Sequence, residues 1–183
     1  IVECLQNIET YSEDLNLISN SCYFLPYLSG ERTPHNDPHI RGSFHSIKTT
    51  TDKTNMQYAV IEGVSFGILD GVKSILEVNK VFKDIFIVGG GSKSSFWIKL
   101  LASLIQKKLS VCDQSEFSAS LGVARLAMFQ DNSIIDKKNI IGDIQVSKKY
   151  QPIESKINLL LKRYQNWKSL YTCNSKVSQS LNL

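Results

Sequence analysis

The sequence has little cysteine. Cys4, Cys22, Cys112 and Cys173 are scattered along 183 residues, and no two share a C-x-x-C spacing. That argues against a paired-cysteine zinc site and against a disulfide framework, and it fits a reducing, cytoplasmic setting. Long apolar runs are missing too. The longest are far too short to span a bilayer, and the stretch from Ile1 onward shows no signal-peptide pattern, so no membrane partner is expected. Charge of one sign is scarce as well: 21 Lys and Arg stand against 17 Asp and Glu, for a net +4. These charges are well mixed, and no basic stripe is interleaved with aromatics, so nucleic acid is not expected as a partner. There is no internal repeat and no low-complexity linker. What remains is the composition of an ordinary globular domain, long enough to bury one real core. The chain opens on Ile1 inside a helical pattern and reads as a piece of something longer.

The stretch that organises the rest runs from Lys83 to Lys108. Ile85 to Val88 is a short β-branched and aromatic run that predicts a buried strand. Gly89, Gly90 and Gly91 follow at once. Beyond them Trp97, Leu100, Leu101, Leu104 and Ile105 recur at three- and four-residue steps, the mark of an amphipathic helix. Ser94 or Ser95 can cap its start, and Lys107 and Lys108 sit where the helix dipole favours positive charge. Strand, glycines and helix N-terminus together suit an anion or a nucleotide, because glycine lets a ligand approach the backbone and the helix end offers unpaired N–H groups. Two familiar phosphate motifs are not met: the third glycine of the dinucleotide fingerprint is missing, and no Gly-Lys-Ser/Thr completes a P-loop. A tight turn that holds no ligand fits the same spacing.

Elsewhere the pattern predicts a short helix within Ile1 to Asn20 and a strand over Cys22 to Leu28 interrupted by Pro26. A polar loop runs from Ser29 to Pro38, and polar loops directly after strands are common places for function. Asn55 to Asn79 is the strongest helix, with Ile61, Val64, Ile68, Val72 and Ile75 on one face. Ala59, Gly63, Gly67 and Gly71 form a second stripe. Each interior glycine costs about 1 kcal/mol against alanine, so the stripe predicts close approach of another backbone. Leu109 to Cys112 reads as a strand, Ala119 to Phe129 as a helix, and Asp131 to Lys149 as irregular. Ile157, Leu160, Leu161, Tyr164 and Trp167 mark a last helix, and the tail from Cys173 is expected to fray.

Three constellations suggest chemistry. Gly63-Val64-Ser65-Phe66-Gly67 matches the nucleophile-elbow pattern, but that motif needs a strand and a strained turn, and here it lies in a helix. His35, His39 and His45 with Asp37 form a nominal metal set in a proline-containing loop, where solvated or structural roles are the ordinary outcome. Glu31 beside Arg32 is by default a salt-bridged loop anchor, with a substrate or phosphate contact as the sharper alternative. No pair of carboxylates stands out as acid and base.

A resemblance carries further. Phe24 to Pro38, reading FLPYLSGERTPHNDP, resembles the corresponding loop of the xylulokinase branch of the FGGY family of carbohydrate kinases. Gly42, Phe44, Ile47, Asn55, Met56, Ala59, Val60, Ile61 and Glu62 fill the family's second signature, with Ser46 where the pattern has glycine. Val88 to Ser94 through Trp97 resembles the family's adenosine-binding turn, and Ser120 to Ala127 the helix after it. Tyr150-Gln151-Pro152 and Tyr164 to Tyr171 resemble its C-terminus. The likeness covers nearly all of residues 20 to 173.

The resemblance implies an α/β fold, one incomplete lobe of a ribonuclease H-like, actin-like ATPase, with residues 1–172 in the lobe and 173–183 as a polar tail. It implies an enzyme that moves the γ-phosphoryl of ATP to D-xylulose or a related ketose, with positioning and charge neutralisation supplying most of the catalysis. Gly89, Gly90, Gly91, Lys93, Ser94 and Ser95 would bind the nucleotide. The family's general-base aspartate and its Asp-x-Gly-Thr strand do not occur here, so no catalytic residue is named, and the ligands of Mg²⁺ are expected in a missing N-terminal lobe. Asp37, Asp70 and Asp113 match neither motif. The expectation is an ATP-side fragment that needs an N-terminal kinase partner; the alternatives are a non-catalytic remnant or nucleotide-binding module, and a hydrolase acting through Ser65.

Overall fold

The computed structural model describes residues 8–9, 14–78, 84–113, 118–130 and 145–181. Most of the first predicted helix and of the 131–149 stretch lies outside these residues.

Helix α1 (Leu15–Asn20) is capped by Asp14, whose carboxylate accepts from the backbone N–H of Asn16 and Leu17. Strand β1 (Tyr23–Leu25) ends at Pro26, as the proline requires, and pairs antiparallel with β2 (Ser43–His45). In that register Phe24 faces Phe44, with ring centroids 4.6 Å apart. Ser46, just past β2, has φ +61°, which accounts for the glycine the family pattern carries there.

Helix α2 (Lys53–Val78) is the longest early element. Its glycine stripe answers the expectation at one position. A Cβ on Gly63 would lie 2.1 Å from the Phe24 carbonyl oxygen, so β1 crosses the helix with its backbone directly on that residue. Gly67 has only Pro26 nearby, at 3.8 Å, and Gly71 has nothing within 4 Å. The buried face also differs from the predicted one. Tyr58, Phe66 and Leu69 are buried together with Glu62 and Asp70, whereas Ile68 and Ile75 are exposed. The two carboxylates are drawn inward by polar partners far along the chain.

Strand β3 is shorter than predicted, Phe86–Ile87, with Phe86 and Val88 exposed. It leads through a single 3₁₀ turn (Gly90–Lys93) into α3 (Ser95–Ile105), where Leu100, Leu101 and Leu104 are buried as their spacing predicts. Strand β4 (Leu109–Cys112) pairs parallel with β3, and α4 (Ser118–Gln130) follows. Within the stretch read as irregular, Val146–Tyr150 forms β5, antiparallel to β4 with a bulge at Val111 and Cys112. The resulting sheet has the order β3-β4-β5.

Helix α5 runs from Glu154 to Ser180, well past the predicted fraying point. Its last turns stay helical because they are held to the loop before β2. Asn174 Nδ2 donates to the Arg41 carbonyl at 2.6 Å, and the Ser178 hydroxyl accepts from the Arg41 amide at 3.2 Å. Tyr164 and Trp167 on α5 pack on Phe66 of α2 at the centre of the main core, each fully buried. A fully buried side chain of this kind contributes about 1.5–3 kcal/mol through removal of apolar surface from water.

Candidate functional site

The triple-glycine turn joins the edge of the sheet to α3. Gly89 has φ +89° and ψ 179°, a backbone state open essentially to glycine alone. Its carbonyl accepts from the Ser92 amide at 3.1 Å and the Ser92 hydroxyl at 2.7 Å, which closes the 3₁₀ turn. Gly90 is exposed, and neither it nor Gly89 has any atom within 4 Å of where a Cβ would stand. Two residues of bare backbone therefore face outward. Gly91 is different. A Cβ there would lie 2.6 Å from Cζ3 of Trp97, so the turn rests on the indole.

Ser94 is the N-cap of α3 and accepts from the Trp97 backbone N–H at 3.2 Å. It is buried, and its oxygen is committed to the helix. Ser95 donates to the Glu9 carboxylate, and Lys93 is exposed. The six residues singled out from sequence thus share one turn but differ in exposure: Gly90 and Lys93 are exposed, Gly89, Gly91 and Ser95 are half-buried, and Ser94 is buried. The arrangement offers an anion or a flat ring a bare backbone at the start of a capped helix.

The other sequence candidates fall elsewhere. Ser65 is fully buried; its hydroxyl donates to the Ile61 carbonyl at 2.7 Å and accepts from Trp97 Nε1 at 2.9 Å. It lies inside α2 with no strained turn, so the nucleophile-elbow reading is overturned. Among the described residues no three His, Cys, Asp or Glu side chains gather to hold a metal ion. His45 Nε2 instead meets the Ser43 hydroxyl at 2.7 Å, and His35 stacks on Tyr171 with centroids 3.8 Å apart. Glu31 accepts from the His35 amide at 2.8 Å, so its carboxylate closes the loop locally rather than pairing with Arg32.

Asp37 is the hub of that loop. Its carboxylate accepts from the Ser175 hydroxyl at 2.6 Å, from the amides of His39 and Ile40, and from Tyr171 at 3.2 Å. The Ser175 hydroxyl, helped by those amides and Tyr171, holds the carboxyl below its ordinary value against a desolvation that works the other way. Burial, then the charge and hydrogen bond of Asp37, push the Tyr171 hydroxyl up to about 12. Asp70 is buried beside the same loop; Oδ1 accepts from the Tyr164 hydroxyl and Oδ2 lies 3.6 Å from His35 Nε2. Sequence patterning missed this network, since its signal is only a set of polar residues on helix faces that hydropathy assigns to water.

The model of the FGGY family of carbohydrate kinases, C-terminal domain, matches residues 6–130. The chain belongs to the FGGY family. Among its curated relatives is the xylulose kinase of Staphylococcus epidermidis, 37% identical over 127 residues, which covers 66% of this chain and 25% of that protein. The xylulose kinase of Lactococcus lactis is 31% identical over 168 residues, 89% of this chain and 33% of its own. A solved structure described as a xyloylose kinase from Brucella ovis superposes with a TM-score of 0.77 at 31% identity, over 92% of this chain and 34% of the other. This FGGY chain therefore spans about a quarter to a third of the length of the curated relatives it matches. Its α/β fold is that of the actin-like ATPase lobe of sugar kinases, in partial form. No helix among the described residues is long and apolar enough to cross a membrane.

Proposed function

We propose that this chain is the ATP-side lobe of a xylulose-kinase-like enzyme that transfers the γ-phosphoryl of ATP to D-xylulose or a related ketose. One observation carries the reading: the bare backbone of Gly89 and Gly90, opening onto the capped N-terminus of α3 in a chain whose curated relatives are xylulose kinases. The adenosine packs against Gly89 to Gly91, with Lys93, Ser94 and Ser95 at its edge. In this reading the metal ligands and the general base belong to a further kinase segment, as the family resemblance implies, and this chain supplies nucleotide binding. The reaction runs in the cytoplasm and forms part of xylose metabolism.

Calorimetric titration of the chain with ATP tests this, with Gly90→Trp as the control. That position has room for a side chain in the absence of ligand, so the variant should fold and lose ATP. Binding by the wild type and none by the variant supports the reading. No binding by the folded wild type makes a non-catalytic remnant the better one.

A further inference from the structure

The buried serine left over from the nucleophile-elbow pattern has a use of its own. Trp97 is tied at three points. Its backbone N–H donates to Ser94 at 3.2 Å, its six-membered ring supports Gly91, and its indole N–H donates to Ser65 Oγ at 2.9 Å. Ser65 in turn donates to the Ile61 carbonyl, at 2.7 Å, within α2. A two-bond chain therefore runs from the backbone of α2 to the ring beneath the third glycine. The ring can neither sink nor rotate without breaking a hydrogen bond whose acceptor is fully buried, and taking a partner from a buried polar group is costly.

We infer that Trp97 and Ser65 are positioning residues of the nucleotide turn: they set the height and tilt of Gly89 to Gly91 against α2 and so determine affinity for an adenine nucleotide without touching it. The inference rests on the nucleotide reading of that turn. It also gives α2 a role in the site, since any movement of α2 is transmitted through Ser65 to the glycines.

The test is ATP titration by calorimetry on the full chain as wild type, Ser65→Ala, Trp97→Phe and the double variant, with urea unfolding to establish that each is folded. Both single variants should bind ATP about tenfold more weakly. The double variant should be no weaker than the worse single, because the two act as one unit. In ¹⁵N-labelled protein the amide signals of Gly89 to Gly91 should shift in ligand-free Ser65→Ala, whereas those of β5 should not. If Trp97→Phe fails to fold, Ser65→Ala decides alone, since it removes a single oxygen. Ser65→Ala that is folded and binds ATP within about twofold of wild type overturns the inference and leaves the nucleotide site standing. A wild type that does not bind ATP overturns both.

Discussion

Glu62 on α2 and Arg163 on α5 form a buried, bidentate ion pair, with Arg163 Nε and Nη2 at 2.7 and 2.6 Å from the two carboxylate oxygens. The guanidinium also donates to the carbonyls of Ser21 and Cys22 at 3.2 Å, just before β1, and lies over the Tyr23 ring. One side chain thereby fixes the start of β1 to both long helices. Desolvation drives the Glu62 carboxyl upward and Arg163 opposes it. The short charge-assisted bonds are those of an ionised pair.

Removing one partner leaves the other charge buried. Arg163→Met should cost about 3–5 kcal/mol in urea unfolding, because Glu62 loses its counter-ion while two carbonyls lose the guanidinium as donor. Replacing both, as Glu62→Met with Arg163→Met, should recover a large part of that loss. A single variant within about 1 kcal/mol of wild type would show that water replaces the guanidinium.

The glycines of α2 should respond in opposite directions. Gly63→Ala places a methyl 2.1 Å from the Phe24 carbonyl, so β1 has to move, at a cost of about 1–3 kcal/mol. Gly71→Ala meets nothing within 4 Å and gains helix propensity, worth about 0.4–1 kcal/mol. Thermal unfolding of the two variants should bracket the wild type.

Asp37 sets an acid limb on stability. Its carboxyl is held below its unfolded value, so the folded chain binds fewer protons in that interval, and unfolding takes one up. The stabilisation is complete above the unfolded value, about 3.9, and is lost as the pH falls through the folded one. Stability should therefore rise with pH across that window, and Asp37→Asn should flatten the rise. Urea midpoints collected from about pH 5 downward read this directly.

Thiol labelling separates the described cysteines. Cys173 is exposed on α5 and should react at once with a maleimide, whereas Cys22 is fully buried, with its thiol pushed up by desolvation. Cys22 should label only under unfolding conditions. Prompt labelling of Cys22 in the native chain would mean that the start of β1 opens far more often than its bonds to Arg163 suggest.

Sequence patterning worked where apolar spacing and local geometry agree. The stripe of α3, its Ser94 cap, the β4 strand and the glycine turn were all legible, because each depends on neighbours within a few residues. It failed where polar side chains are buried by distant partners. Glu62 and Asp70 lie off the apolar face that spacing predicts for α2, yet they are buried because Arg163 and Tyr164 arrive from about a hundred residues away. The last turns of α5 read as a frayed tail for the same reason. Asn174, Ser175 and Ser178 carry no apolar signal, and their value lies in the loop they bond. The candidate site was legible as a turn, whereas its support was not: nothing local links Ser65 to Trp97.

That hold of α5 on the early loop has a consequence for biosynthesis. Asp37, Arg41 and Ser43 leave the ribosome more than a hundred residues before Ser175, Ser178 and Asn174 exist to bind them. Contacts of such sequence separation form late, since the loop closure they need has to precede any reward. The α5 half of the bonding around Asp37 thus waits until residues 174–178 have been made, and a chain that stops short of Asn174 never gains it.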